Sequence, residues 1–292
     1  MRILLMGAKG MLGTDMLRVW QGHEVIAADS AEADIRDLHQ VRALVSSAHP
    51  EWIVLTAAYT DVDGSEKNRD LAFAVNAIGA ENVARAATES RAALFYVSTD
   101  YVFDGNATRP YEPTDPIRPL NVYGESKAAG EAAVREYAQH WCIGRTSWLF
   151  GAHGNSFPEK ILRASETRPE LTVVSDQVGS PTFTVDLSSA ILQLLDKNVC
   201  GIVHLTNSGS CSWYEFACEV LRQADRHAIR VLPVDSSNAA RPAKRPKYSI
   251  LSPASLRQYG IEMRNWKEAV RNYIADLRNI AKLSPKEQSQ KK

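Results

Sequence analysis

Short runs of consecutive apolar residues recur along the first half of the chain, separated by longer stretches with helical periodicity. Strands in the interior of a parallel sheet are covered on both faces, so they are apolar throughout rather than at alternate positions. The pattern therefore predicts a doubly wound α/β fold, in which helices cover both faces of a parallel sheet. The predicted strands are residues 3–6, 24–28, 53–55, 94–97 and 142–147.

Beyond residue 150 the apolar runs become fewer and the loops longer. Two strand-like runs, 171–174 and 202–205, fall in this part, and Ser212 with Glu215 forms a capping box that begins a helix. A chain of 292 residues is long enough for about two domains of roughly 150 residues each. The expected division is 1–150, joined by some later segments, then a smaller lobe over 151–282, and a mobile polar tail over 283–292.

Composition narrows the classes of function. The chain has 34 basic and 34 acidic residues, so no overall charge attracts nucleic acid or an anionic membrane. The apolar run at the amino terminus is shorter than that of a signal peptide, and no stretch approaches the roughly 20 residues that span a bilayer, so we expect a cytoplasmic protein. The four cysteines and seven histidines have no ligand spacing, so neither a metal site nor a disulfide framework is predicted.

A glycine-rich turn follows the first predicted strand. Gly7, Gly10 and Gly13 are spaced G-x-x-G-x-x-G, and Met11 and Leu12 begin an amphipathic helix. Glycines let the backbone approach a pyrophosphate, and the unpaired amides at a helix N-terminus offset its negative charge. The sequence therefore predicts a Rossmann-like dinucleotide site in the first domain; a tight turn without a ligand is the alternative.

An acidic residue after the second predicted strand bears on the choice of cofactor. Asp29 stands where an acidic side chain bonds the adenosine ribose hydroxyls, which favours NADH. Lys9, inside the glycine loop, would meet a 2′-phosphate, so NADPH stays open as well. Asp34 and Ile35 are expected to bracket the adenine, with a solvated loop acid as the alternative for Asp34.

A tyrosine and a lysine one helical turn apart suggest proton transfer. Tyr123 and Lys127 lie on the same face of a helix predicted to run to about His140. A free tyrosine has a pKa near 10, so it exchanges protons poorly at neutral pH unless a positive charge lowers that pKa. Thr99, at the end of a central strand, is expected to orient a substrate carbonyl beside them; a satisfied turn residue is the alternative.

Together these residues resemble the extended short-chain dehydrogenases/reductases and, within them, the dTDP-4-dehydrorhamnose reductases. The resemblance covers most of the chain and adds further motifs to the glycine loop and the tyrosine-lysine pair. They are 57–63 (AAYTDVD), Val75 and Asn76 before Gly79, 98–105 (STDYVFDG), 145–151 (RTSWLFG), 177–182 (QVGSPT), and Arg245 and Pro246 followed by Ser249 and Leu251.

The resemblance implies hydride transfer from NADH or NADPH to the C4 carbonyl of dTDP-4-dehydro-L-rhamnose, giving dTDP-L-rhamnose for cell-surface polysaccharide. Tyr123 would donate the proton, Lys127 would lower its pKa and hold the nicotinamide ribose, and Thr99 would bond the C4 oxygen. Asp100 and Trp148 would shape the sugar pocket. The residues implied to line the cofactor cleft are Ala57, Ala58 and Tyr59.

Some features of the resemblance leave details open. Tyr59 stands where His is frequent and Tyr248 where Asn is frequent, so the finer sugar preference is not fixed. Some relatives bind magnesium at a dimer contact, but no motif here carries that over, and either a monomer or a homodimer is expected. Four basic residues would either bind the nucleotide diphosphate or form a solvated loop: Arg241, Lys244, Arg245 and Lys247.

Two other classes of function share this fold. The regulatory subunit of methionine adenosyltransferase resembles the same family and acts by association, and such a protein need not keep Thr99, Tyr123 and Lys127, which are all present here. An epimerase or dehydratase would instead retain NAD through its catalytic cycle. A reductase exchanges its cofactor at each turnover, so copurified NAD would separate these two classes.

Overall fold

The structure, a computed structural model, describes residues 1–238 and 241–287. Its central feature is a six-stranded sheet in which every pair of neighbouring strands is parallel. The predicted doubly wound, Rossmann-like fold is therefore confirmed. Across the sheet, the strands are β2 (Glu24–Ala28), β1 (Arg2–Met6), β3 (Trp52–Leu55), β4 (Ala93–Thr99), β5 (Trp141–Thr146) and β10 (Gly201–His204).

Both faces of the sheet are buried, which explains the unbroken apolar strands. On β1, Ile3 and Leu5 pack into one core cluster, whereas Leu4 and Met6 pack into another on the opposite face. The helices around the sheet are α1 (Met11–Val19), α2 (Leu38–Ala48), α3 (Val62–Lys67), α4 (Arg69–Phe73), a π-helical turn (Ala74–Ile78), α5 (Gly79–Glu89), α6 (Val122–Tyr137), α8 (Thr184–Asp196) and α10 (Ala254–Arg257).

A separate core forms the second lobe. Phe150, Phe183, Phe216 and Tyr273 are each at most 2% exposed and pack together there. The capping box of Ser212 is confirmed. The elements of this lobe are β6 (Leu149–Phe150), α7 (Phe157–Ser165), β7 (Glu170–Val174), β8 (Val178–Gly179), β9 (Thr182–Phe183), β11 (Cys211–Ser212), α9 (Trp213–Gln223), β12 (Arg230–Val234) and α11 (Trp266–Glu287).

Several boundaries differ from those predicted by a residue or more, and three of the differences affect the fold. β4 continues past residue 97 because Ser98 and Thr99 are buried and pair with β5. The run 202–205, which the sequence analysis grouped with the second lobe, forms most of β10 at the edge of the main sheet, because it pairs with β5. Helix α11 extends into the first half of the predicted tail, and residues 288–292 of that tail lie outside the described residues.

No helix in the described part of the chain is long and apolar enough to cross a membrane. Within the same residues, no group of three or more His, Cys, Asp or Glu side chains could hold a metal ion.

His204, on β10, makes the stability of the fold sensitive to acid. Its side chain is 1% exposed, neither ring nitrogen has a hydrogen-bond partner among the described residues, and burial, aided by the charge of Arg145, lowers its pKa to about 3. The unfolded chain has an ordinary histidine pKa near 6.5, so it binds a proton that the folded state does not. The free energy of unfolding therefore falls as the pH drops from about 6.5 towards 3.

We expect His204→Leu to reduce this loss of stability, because leucine has no proton to bind. Urea denaturation at neutral and acidic pH would measure the free energy of unfolding. The matched control is His227→Leu, since the His227 side chain is 70% exposed. A pH dependence in His204→Leu equal to that of the unmodified protein would contradict the prediction.

Candidate active site

One cavity of about 730 Å³ runs along the carboxyl edge of the sheet. It lies where the chain reverses direction across the sheet, since β2 and β3 lie on opposite sides of β1, and doubly wound sheets bind ligands at this point. Apart from Tyr59, Lys9 and the basic segment 241–247, the predicted site residues line the cavity. They are Gly7, Gly10, Met11, Leu12, Gly13, Asp29, Asp34, Ile35, Ala57, Ala58, Thr99, Asp100, Tyr123, Lys127 and Trp148.

The glycine loop forms one end of the cavity. Gly7 has φ +95°, and a Cβ added there would lie 2.6 Å from both Ala57 N and Thr56 Oγ1, so only glycine fits. Gly10 precedes α1, and no side chain caps that helix, so its first amides are left for a ligand. This backbone cradle at a helix N-terminus fits a dinucleotide pyrophosphate.

Beside the glycine loop, the cavity is lined by two acidic side chains, Asp29 and Asp34, and one basic side chain, Arg36. Asp29 Oδ2 accepts a hydrogen bond of 2.5 Å from the backbone amide of Lys9. Arg36 donates from Nε and Nη2 to Asp34, which holds the pKa of that carboxyl below its usual range. Arg36 lines the cavity and was missed by sequence reasoning, although it directly follows Ile35.

Helix α6 places the tyrosine and the lysine at the other end. The Asn121 side chain accepts a hydrogen bond of 2.8 Å from the amide of Gly124 and so fixes the start of the helix at Val122. Tyr123 and Lys127 then lie on one face of its first two turns and both reach the cavity. The helix ends at Tyr137, a few residues before the predicted end.

Burial changes the proton affinity of Tyr123. Desolvation raises the pKa of its phenol to about 12, although a hydrogen bond with Thr99 lowers it and the charge of Asp100 raises it further. Burial outweighs the other influences on this pKa in the structure. The lowering effect of Lys127 stays a prediction.

Lys127, which lines the cavity, is held in place by uncharged partners. It is 2% exposed, and its Nζ donates a hydrogen bond of 2.8 Å to the carbonyl oxygen of Val97 and lies 4.0 Å from the centroid of the Tyr96 ring. Burial lowers its pKa to about 7, against the opposing effect of Glu131. An ammonium has more than one N–H donor, so this arrangement leaves donors for a ligand.

Asp100 carries a buried carboxyl group beside the cavity. The residue is 1% exposed, and its Oδ1 accepts a hydrogen bond of 3.1 Å from Thr99 Oγ1. Burial raises the pKa of the carboxyl to about 7, although hydrogen bonds with Ser249 and Thr99 lower it.

Comparison with known proteins identifies the family. The model of the RmlD substrate binding domain matches residues 1–279. The spore coat polysaccharide biosynthesis protein SpsK of Bacillus subtilis is 40% identical over 277 residues, which cover 94% of this chain and 97% of that protein. The dTDP-4-dehydrorhamnose reductase of Aggregatibacter actinomycetemcomitans is 37% identical over 289 residues, which cover 94% and 98% of the two chains. The chain belongs to the RmlD family.

A solved structure extends the comparison to the cofactor. The dTDP-4-dehydrorhamnose reductase of Bacillus anthracis in complex with NADP is 40% identical, covers 94% of this chain and 99% of its own, and superimposes with a TM-score of 0.91. This RmlD family member is an NAD(P)H-dependent oxidoreductase of the dTDP-4-dehydrorhamnose reductase type.

Tyr59 is predicted to line the cofactor cleft of this reductase, but its ring lies away from the cavity. Its backbone N–H and C=O both bond the Asn76 side chain, at 2.8 and 3.0 Å. The phenol lies against α3, where Asn68 Nδ2 is 3.5 Å from its oxygen and a Cβ added at Gly64 would be 2.8 Å away. The motif therefore brings the backbone of Tyr59, rather than its ring, close to the cofactor cleft.

Several lining residues of the reductase carried no clear signal in the sequence. Tyr101 borders the cavity with its ring centroid 5.6 Å from that of Tyr123, and Val62 and Leu71 add apolar surface. Tyr101 and Val62 lie inside quoted motifs, so proximity to known site residues could have pointed to them. Leu71, on the short helix α4, has no such neighbour.

The basic segment, for which the sequence leaves diphosphate binding and a solvated loop open, is mostly paired within the chain. Arg245 donates to both oxygens of Asp63, at 3.0 and 2.9 Å, and Arg241 lies 3.4 Å from the same carboxyl. These contacts, Arg245 first, lower the pKa of Asp63 to about 2. Lys247 lies 3.6 Å from Asp176. Diphosphate binding by this segment stays a prediction.

Proposed function

We propose that this reductase reduces the C4 carbonyl of dTDP-4-dehydro-L-rhamnose to give dTDP-L-rhamnose, with Tyr123 as the proton donor. One observation carries the proposal. A glycine cradle for a dinucleotide and a Thr99–Tyr123 hydroxyl pair line a single continuous cavity. The lobe formed mainly by residues 151–282 would hold the nucleotide part of the sugar substrate, and the names of the relatives supply the substrate class.

Tyr123 and Thr99 would have separate roles at the C4 carbonyl of the substrate. When bound, the nicotinamide cofactor supplies the hydride. Tyr123 keeps its proton at neutral pH because its pKa is about 12, and it would give that proton to the oxygen that becomes the C4 hydroxyl. The Thr99 hydroxyl donates to Asp100 Oδ1; by turning from that oxygen to Tyr123 it would stabilise the phenolate after the transfer.

Two further residues would orient the reactants. Lys127, whose ammonium is fixed by the Val97 carbonyl, would bond the nicotinamide ribose with its remaining donors. Asp100, which lines the cavity, would contact the sugar and help to orient it. Holding both reactants in place converts an encounter of two molecules into a step within one complex.

The test is oxidation of NADPH and NADH, measured separately by loss of reduced-nicotinamide absorbance on addition of dTDP-4-dehydro-L-rhamnose prepared in situ. We expect rapid oxidation and dTDP-L-rhamnose as the product identified by NMR. A folded protein that binds the cofactor but oxidises neither form would overturn the proposal in favour of another nucleotide sugar or a regulatory role. Copurified NAD that does not exchange would instead indicate an epimerase or dehydratase.

Arg36 is expected to favour NADPH over NADH. Arg36 is exposed, so solvent screens its charge, and loss of one charge-assisted hydrogen bond to the phosphate should weaken NADPH binding by about tenfold. We expect Arg36→Ala to raise the Kd for NADPH by about this factor and to change the Kd for NADH much less, both measured by fluorescence titration.

The matched control for this prediction is Arg42→Ala. Arg42 is similarly exposed and also pairs with a carboxylate, Glu89, but it does not line the cavity. If Arg36→Ala weakens the binding of NADPH and NADH equally, or if Arg42→Ala weakens NADPH binding as much, Arg36 does not bind the 2′-phosphate.

A further inference from the structure

Trp148 has a backbone conformation that bulky residues rarely adopt. Its φ is +47°, in the left-handed region, where a large side chain is disfavoured and persists only if its surroundings hold it. The residue lies between β5 and β6 and lines the same cavity as Asp100 and Tyr123. The contacts that hold this indole therefore also set the shape of the reacting end of the cavity.

The Trp148 ring packs between two walls, the backbone of Gly179 and the ring of Trp213. On one wall, a Cβ added at Gly179 would lie 2.5 Å from Cε2 of the indole, so the ring passes directly over the glycine backbone. On the other, the Trp213 ring is stacked on it, with centroids 3.5 Å apart and planes 8° apart.

Local structure fixes the two walls relative to each other. β8 and β11 pair antiparallel, with Gly179 opposite Cys211. Ser212 follows Cys211 and caps α9, which begins at Trp213. Because the pairing and the cap are both formed, the distance between glycine backbone and Trp213 ring is set by hydrogen bonds rather than by the indole between them.

Trp213 lies at the margin of the second-lobe core and covers Trp148. It is only partly buried, and besides stacking on Trp148 it packs against Phe157 and Phe216, with ring centroids 4.6 and 6.2 Å apart. Trp213 does not line the cavity itself. Its contribution to a ligand would therefore pass through the indole that it covers.

We propose that Trp213 is a positioning residue that holds the Trp148 indole at the sugar end of the cavity and so strengthens nucleotide-sugar binding. The inference rests on the proposed function, because it takes that end of the cavity as the sugar site. The cofactor cradle, built from the glycine loop at the other end, does not depend on this stack.

The experiment measures binding of dTDP-L-rhamnose and of NADPH separately by titration calorimetry. An aromatic stack contributes about 0.5–1.5 kcal/mol beyond its buried area, which corresponds to about two- to tenfold in affinity. We expect Trp213→Leu to weaken dTDP-L-rhamnose by about this factor and leave NADPH unchanged, while Trp213→Phe, which keeps a stacking ring, restores most of the loss. Trp141→Leu is the matched control. Trp141 begins β5, at the amino ends of the strands and away from the cavity, so this change should alter neither affinity.

A double-mutant cycle tests whether the effect passes through Trp148. In a Trp148→Ala background, Trp213→Leu should have little further effect, since its partner is gone. Gly179→Ala perturbs the other wall and keeps the test available if Trp213→Leu does not fold. Its new methyl group should displace the indole and weaken dTDP-L-rhamnose selectively, and Trp148→Ala should make that methyl group tolerable.

The outcomes separate the two proposals. If the unmodified protein does not bind dTDP-L-rhamnose, the proposed function fails and this inference fails with it. If the unmodified protein binds but Trp213→Leu and Gly179→Ala bind equally well, only the inference is overturned. It is also overturned if the effect of Trp213→Leu persists in the Trp148→Ala background, or if NADPH binding falls as much as sugar binding.

Discussion

Replacing Tyr123 with phenylalanine is expected to lower kcat by about 10²–10⁴-fold, the usual contribution of a positioned general acid. The variant removes one hydroxyl and little surface, so the ring still lies edge-on to Tyr101 and the cavity keeps its shape. Binding of NADPH should therefore be nearly unchanged. Steady-state kinetics with dTDP-4-dehydro-L-rhamnose and fluorescence titration with NADPH would measure the two effects.

Tyr101→Phe is the matched control, because it removes the same hydroxyl from a neighbouring ring in the same cavity. We expect a much smaller fall in kcat there, since Tyr101 has no predicted role in proton transfer. Full turnover in Tyr123→Phe would exclude it as the proton donor. Equal losses in the two variants would point to a general effect of cavity polarity.

The pH dependence of kcat should agree with the role of Tyr123, and the pH dependence of cofactor binding with the role of Lys127. Because the pKa of Tyr123 is raised to about 12, the phenol remains protonated across the neutral range, and its titration should not limit the rate there. Lys127, whose pKa is lowered to about 7, loses its charge as the pH rises through that value. A fall in cofactor affinity above about pH 7 that is absent in Lys127→Met would assign that titration to the lysine.

The sheet and most of the cavity could be predicted from the sequence because both depend on local signals. A strand buried on both faces is apolar throughout, as β3 is and as β1 is from Ile3 onwards. The functional residues follow directly after such strands, as the glycine loop and Asp29 do, and parallel strands bring their carboxyl ends to one edge. The strand pattern therefore predicted where these residues meet without any knowledge of tertiary contacts.

The features that sequence reasoning missed depend on contacts between distant segments. β10 joins the main sheet only because residues 202–204 pair with β5, which the apolar run alone does not reveal. The ring of Tyr59 turns towards α3 because Asn76, on a π-helical turn, binds its backbone. The raised pKa of Tyr123 follows from its burial, which the spacing to Lys127 does not reveal.

A buried ion pair anchors the helix that carries the tyrosine and the lysine. Glu131, one turn beyond Lys127 on α6, is 0% exposed and receives two hydrogen bonds from Arg145 of β5, at 2.8 and 2.7 Å. Ser98 of β4 donates a third, at 2.6 Å. Arg145 also donates to the carbonyl of Pro113, at 3.1 Å. The network therefore connects α6 to two central strands directly below the reacting end of the cavity.

Arg145→Met is expected to destabilise the fold by about 3–5 kcal/mol, because it leaves the Glu131 carboxylate buried without its counter-charge. Urea or thermal denaturation would measure the free energy of unfolding. The control is Arg145→Met combined with Glu131→Met, which replaces both charges with apolar side chains. Such replacements are often neutral or stabilising, so the double variant should recover most of the loss. A double variant as unstable as Arg145→Met would show that the pair stabilises α6 through more than charge compensation, since the destabilisation would then persist without any unpaired carboxylate.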